Sequence, residues 1–208
     1  MMFGLLAAIS LIFIGVYYNP YRYPFEINLE NRLRVALKSS LPIAIVLAIS
    51  IGRLAKHRFF TPNDIDGSGM TQASSQAKIL QSIIQNTLEQ SLLAFVTYLI
   101  WCLLMPGNCL SVVPMASIAF TIGRILFIVG YEFGAPARAL GFTLSFYVTN
   151  GMLLYIVISC LKWLLRIMYQ MNLFVIRLTI NIWAYVDFFM LYLSKDWKML
   201  SIKYNIWK

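Results

Sequence analysis

The chain has 208 residues, 60% of them hydrophobic and only 12% charged, with a mean hydropathy of +0.74. That balance excludes a soluble globular domain and points to helices that cross a bilayer. The formal charge of +9 is not read as a nucleic-acid footprint, because basic loops orient membrane segments and touch anionic lipid.

Residues 3–18 form a short apolar run that ends in an aromatic belt of Tyr17, Tyr18, Tyr21 and Tyr23 beside Arg22. No Lys or Arg precedes the run and no small-residue cleavage site follows it, so it is expected to be a retained membrane helix, A. Helix B is expected over about 35–51. It carries Lys38, whose ammonium must snorkel to the nearer surface, and leads into Arg53, Lys56, His57 and Arg58. His57 is read as a solvated residue of a basic loop. Residues 61–77 form the long polar loop, where Asp64, Asp66 and Gly67 suggest calcium. The calcium pattern fails, since its first ligand position would be Pro62 and its twelfth Ala73, so the loop is read as a flexible linker.

Helix length then becomes informative. Residues 92–105 are apolar but for Thr97. At 1.5 Å per residue they span only about 21 Å, short of a hydrocarbon core about 30 Å thick. Extending helix C back to Asn86 supplies the missing turns and leaves Asn86 and Glu89 at the membrane edge. Pro106, Gly107 and Asn108 force a reversal into helix D, about 110–131, and Gly134 and Pro136 break the chain before helix E, about 138–165. A last apolar stretch, 172–193, carries Arg177, Asn181 and Asp187 and is either a sixth span or an interfacial helix. Cys102, Cys109 and Cys160 show no metal or disulfide-framework spacing; Cys102 and Cys109 lie near one face, but all three are read as free thiols.

Six alternating spans would place Arg53, Lys56, Arg58, Lys78, Arg138, Lys195, Lys198, Lys203 and Lys208 on one face. Arg22, Arg32, Arg34, Lys38, Lys162 and Arg166 would lie on the other, and nine against six favours the first face as cytosolic. Alternation also gathers Arg53, Asn86, Glu89, Tyr131 and Arg138 on one side, with Arg124 two turns below Tyr131 and able to snorkel toward them. Charges inside spans cost at least a few kcal/mol, about 2.5–3.5 at a helix centre, so such residues mark candidate sites. A permanent, forked guanidinium at Arg138 suits an anion, including a bound thiolate, and Tyr131 can donate to the same sulfur. Asn86 and Glu89 suit the amino and carboxylate groups of a small peptide. The structural alternative is that Glu89 and Arg124 simply pair between helices C and D. No metal cluster or hydrolase triad competes.

These residues carry a resemblance. Gln85 to Glu89, Gly123-Arg124, Gly130-Tyr131 and Ala137 to Phe142 resemble the MAPEG superfamily, membrane-associated proteins in eicosanoid and glutathione metabolism. The likeness covers about 33–165, leaving 1–32 as an N-terminal helix and loop and 166–208 as a C-terminal extension. It implies an all-α integral membrane fold, a four-helix bundle of helices B to E with helix A added and the last stretch as a potential sixth helix. It further implies a homotrimer with glutathione near the cytosolic face. On that reading Asn86, Glu89, Arg124 and Arg53 are candidate glutathione-binding residues, and Arg138 and Tyr131 candidate catalytic ones. Members resembling this chain that are enzymes carry an arginine and a glutamine four and two residues before the Asn, where this chain has Ser82 and Ile84. Gln90 and Phe127 likewise replace aromatic and tyrosine positions. The extra helix and the segment from Arg34 to Pro42 are similar to the mattrin-type branch, transmembrane proteins of the secretory and lysosomal system. The resemblance thus implies either a non-catalytic membrane adaptor or trafficking protein with a lateral membrane-protein partner, or a glutathione-dependent transferase or peroxidase acting on lipophilic electrophiles. Endoplasmic reticulum or endosomal and lysosomal membranes are the expected locations.

Overall fold

Capping and chain-breaking residues set the helix boundaries in the structure, a computed structural model that describes residues 2–65 and 73–204. Helix α1, Met2–Phe13, runs into a π-helical turn, Ile14–Tyr18, that ends where Asn19 enters the left-handed region at φ 41°. Asn28 opens α2, Leu29–Phe60, by accepting from the Asn31 amide, and Ser74 opens α3, Ser75–Leu104, by accepting from Ala77. Each cap satisfies an amide that the helix itself leaves orphaned. A 3₁₀ turn at Gly107–Cys109 leads into α4, Val112–Gly130. A second 3₁₀ turn, Tyr131–Phe133, ends at Gly134, whose φ of 94° is open to glycine at no steric cost, and α5, Ala135–Tyr204, follows.

Helices α2, α3, α4 with its leading turn, and the stretch Ala135–Trp183 are long and apolar enough to cross a membrane; Met2–Tyr18 is apolar but shorter. The expected helix B was too short, because it covered only the apolar centre while the polar ends continue the same helix. The apolar stretch at 172–193 begins no new helix. It continues α5, since neither Gly nor Pro occurs between Met152 and Tyr204 to end it. Asp66, Gly67, Ser68, Gly69 and Lys208 lie outside the described residues.

By internal contacts the chain divides into 1–157 and 158–208. In the second, the described side chains up to Tyr185 are nearly all exposed on one helix. In the first, polar ties reveal the direction of packing. Arg32, at the start of α2, donates through Nη1 to the carbonyls of Cys102 and Met105 at the end of α3, at 2.8 and 2.7 Å. Its Nε donates to Ile27, so one side chain closes the α3 C-terminus. At the other end, the α2 residue His57 pairs with Asp64 at 2.8 Å, and Ser74 donates to the same carboxylate through Oγ at 2.6 Å and through its amide at 2.9 Å. Helices α2 and α3 are thus antiparallel. His57 is a correction to the sequence reading: it sits in the last turn of α2 and is bonded, because a carboxylate lies within reach of its ring. Likewise the linker is not loose at its two ends, which Asp64 joins.

Trp101, Tyr98, Phe120, Leu110 and Met152 fill the core, with Ala94 and Ala116 allowing close helix approach. In lipid such packing, rather than hydrophobic expulsion, holds helices together. The tightest crossing joins α4 to α5. A Cβ added at Gly141 would meet the Phe127 nitrogen and the Gly123 carbonyl, and one at Gly123 would meet Gly141 and Ser145 backbone. Helix α1 runs alongside α5, with Gly4 at Thr143 and Ile12 at Gly151.

Two predictions follow from these contacts. Gly141→Val should force the α4–α5 crossing apart and destabilise by about 1–3 kcal/mol or more, whereas Gly52→Ala, in open space, should be tolerated. Thermal unfolding in detergent compares them. The Ser74 hydroxyl and amide, then His57, hold the Asp64 carboxyl at about 2, below its ordinary 3.8. A depressed carboxylate stabilises above its unfolded value and loses that contribution as pH falls through the folded one. Protection of the Ser74 amide, its exchange measured against the intrinsic rate at each pH, should therefore hold above pH 3.8, fall as pH drops toward about 2, and lose this dependence in Asp64→Asn.

Candidate functional site

Asn86 and Glu89 stand on α3, Arg124 near the end of α4, Tyr131 at the first position of the following 3₁₀ turn and Arg138 in the first turn of α5. The antiparallel order of α3, α4 and α5 brings these segments to one end of the bundle.

Arg124 is wholly buried. Its Nη1 donates to the Asn86 side-chain oxygen at 2.9 Å and to the Asn86 carbonyl at 3.3 Å. The guanidinium carbon lies 4.3 Å from the centre of the Phe127 ring and 6.0 Å from that of Phe120, so aromatic faces take part of the charge. Nε and Nη2 have no hydrogen-bond partner among the described residues. The expected Glu89–Arg124 pair does not form. Glu89 is exposed and accepts from Gln85 Nε2 at 2.7 Å, one turn back on its own helix, while Asn86 faces α4. Residues three apart stand only about 60° apart around a helix, and here the edge of the α3–α4 contact falls between them, with Asn86 half-buried and Glu89 exposed.

Arg138 stacks on Tyr131, its guanidinium carbon 4.6 Å from the ring centre, and Phe127 meets the same ring edge-on at 5.6 Å. Asn86, Tyr131 and Arg138 line one cavity of about 390 Å³ together with Ser82, Phe127 and Phe142. Glu89 lines an adjoining hollow of about 490 Å³ with Lys78, Gln81 and Gln85, and the two share Ser82 and Asn86. Arg53 is half-buried on α2 and lines neither. Phe142 was missed in the sequence. Its signal was the four-residue step from Arg138, which repeats the steps from Ser82 to Asn86 and from Phe127 to Tyr131.

Chemically, the cavity offers a cation stacked on a phenol, an amide fixed by a buried guanidinium, and aromatic walls. It suits a small ligand with an anionic or ionisable end. The MAPEG family model matches residues 38–158, more than half of the chain. The chain belongs to the MAPEG family. No curated protein and no solved structure matches it. Family membership and the four long apolar helices make it an integral membrane protein.

The Asn86–Arg124 contact generates a test by coupling. Asn86→Ala should cost about 1.5–3 kcal/mol, because it removes the side-chain acceptor at 2.9 Å and leaves the buried guanidinium only the backbone carbonyl at 3.3 Å. Adding Arg124→Met should restore much of that loss, since no charge then remains to satisfy. Unfolding midpoints of the single and double variants measure the coupling; additive losses would count against it.

Proposed function

We propose that this MAPEG-family chain binds glutathione weakly in the Asn86–Tyr131–Arg138 cavity, as a homotrimer, and works mainly as a membrane adaptor or trafficking protein. The observation that carries the binding reading is the shared lining. Arg138 and Tyr131, apt for a thiolate, open onto the same space as Asn86, apt for the peptide part. Arg124 already occupies the Asn86 side-chain oxygen, which leaves its amide NH₂ to serve as a donor. Glu89 in the adjoining hollow suits the ligand's ammonium, and Lys78 brings a positive charge near a carboxylate.

Weakness follows from Ser82. It lines both spaces at the position where the resembling enzymes carry arginine, and its hydroxyl donates to the Lys78 carbonyl of its own helix. A missing charge-assisted contact is worth about 1.5–3 kcal/mol, or one to two orders of magnitude in affinity. The adaptor role in secretory and lysosomal membranes, with a lateral membrane-protein partner, rests on the mattrin-type likeness of the segment from Arg34 to Pro42 and on these lost anchors. The transferase or peroxidase reading is favoured by one observation, the Arg138 guanidinium over Tyr131. That pair could hold a thiolate for attack on a lipophilic electrophile.

Titration of the detergent-purified chain with glutathione should give millimolar binding and a weak thiolate absorbance that Arg138→Ala abolishes. Ser82→Arg should tighten binding roughly tenfold or more. No binding at millimolar glutathione by either form would overturn the reading. A membrane protein that co-purifies equally with wild type and Arg138→Ala supports the adaptor role. Turnover of a lipophilic electrophile, lost in Arg138→Ala, would favour the enzyme.

A further inference from the structure

A cleft larger than either of these hollows lies away from the site, at the opposite end of the bundle. It measures about 820 Å³ and sits between the first turns of α2 and of α4, beneath the link that joins α1 to α2. Its charged groups are ordered along the helix axis. Glu26 stands in the link, then Asn31, Arg34 and Lys38 follow on one face of α2, and Pro42 and Ile118 lie deepest. From Asn31 to Pro42 the axial rise is about 16 Å. The charged groups thus all lie outward of Pro42, while Ser39 and Ser117 join Pro42 and Ile118 in the deeper part and Tyr23, Pro24 and Ile27 line the outer part.

The charges are ordered as well. Arg34 is balanced by Glu30, 2.6 Å away on the same helix. Lys38 and Glu26 have no ion-pair partner among the described residues. One unbalanced cation therefore lies deep and one unbalanced carboxylate lies outside it. A cation at that depth stays charged only by reaching water or an anion.

We propose that this cleft binds a glycerophospholipid with a zwitterionic, primary-amine headgroup, that is, a phosphatidylethanolamine. In such a lipid the phosphate lies next to the glycerol and the acyl chains, and the ammonium lies farther out. Lys38, supported by Arg34, meets the phosphate. Glu26 and the Asn31 side-chain oxygen accept from the ammonium, for which a quaternary choline has no N–H to offer. Acyl chains lie along Pro42 and Ile118. Phosphatidylglycerol satisfies Lys38 with the same phosphate but sets an uncharged glycerol where Glu26 stands, leaving the carboxylate without a counter-charge, so Glu26 selects between headgroups.

Native mass spectrometry of the full chain tests this, with equimolar phosphatidylethanolamine, phosphatidylcholine and phosphatidylglycerol bearing the same acyl chains. The ethanolamine lipid should dominate at one per chain. Lys38→Ala should reduce that adduct roughly tenfold, as expected for one charge-assisted contact, and Lys38→Arg should retain it. Glu26→Gln should shift preference toward phosphatidylglycerol. Millimolar glycerophosphoethanolamine, which lacks acyl chains, should not displace the lipid. Equal retention of the three lipids, dominance of phosphatidylglycerol in the wild type, or displacement by the soluble headgroup would overturn the proposal. So would adducts unchanged in both Lys38→Ala and Glu26→Gln. If Lys38→Ala aggregates, the comparison of wild type, Lys38→Arg and Glu26→Gln decides by the same criteria.

Discussion

A guanidinium sealed between α3 and α4 constrains everything at one end of the bundle. Arg124 lies in a helix made otherwise of apolar and small residues, where an unsatisfied charge is costly. Its acceptors are both supplied by Asn86, one from the side chain and one from the backbone. That arrangement ties the depth of α3 to the depth of α4. It also fixes the Asn86 amide before any ligand arrives. The Gly123–Gly141 crossing lets α5 approach the same level, so Arg138 reaches Tyr131 just beyond the end of α4. A binding site becomes available because a structural charge has been satisfied next to it.

The other end of the bundle is held by a different device. Arg32 gathers the last carbonyls of α3, and the Trp101 indole donates to the Cys109 carbonyl across the reversal into α4. Asn19 and Ser111 bond to each other and bring α1 to the start of α4. Above these ties the α2–α4 cleft remains open, with its charges ordered along the membrane normal. The two ends therefore differ in kind: an aromatic and guanidinium cavity at one, a cleft with ordered charges at the other.

Much of the site could be read before any coordinates. The shortness of the apolar run at 92–105 required helix C to reach back to Asn86, and this placed Asn86, Tyr131 and Arg138 at one end. What the spacing did not reveal was side-chain direction around each helix. Asn86 and Glu89 are three residues apart and looked like one unit, yet Asn86 turns to Arg124 and Glu89 to Gln85. His57 looked solvated because its neighbours in sequence are basic; its partner, Asp64, lies across a helix end. Arg32 counted only as a loop charge, although its three bonds reach carbonyls in two other segments.

Composition and segment length were enough to settle class and the order of the reversals, because bilayer thickness and backbone satisfaction leave few alternatives for so apolar a chain; the four-helix bundle came from the resemblance. Proline and glycine marked the reversals, since they act on the local backbone. Their absence after Gly151 let α5 run on, which apolar patterning alone did not reveal. Partner choice belonged to the packed structure. Whether Arg124 meets Asn86 or Glu89, and whether Arg34 and Lys38 line a cleft with α4, depends on how helices distant in sequence rotate and cross. That rotation is set by close contacts such as Gly123 on Gly141, whose energies arise only when the helices are already side by side.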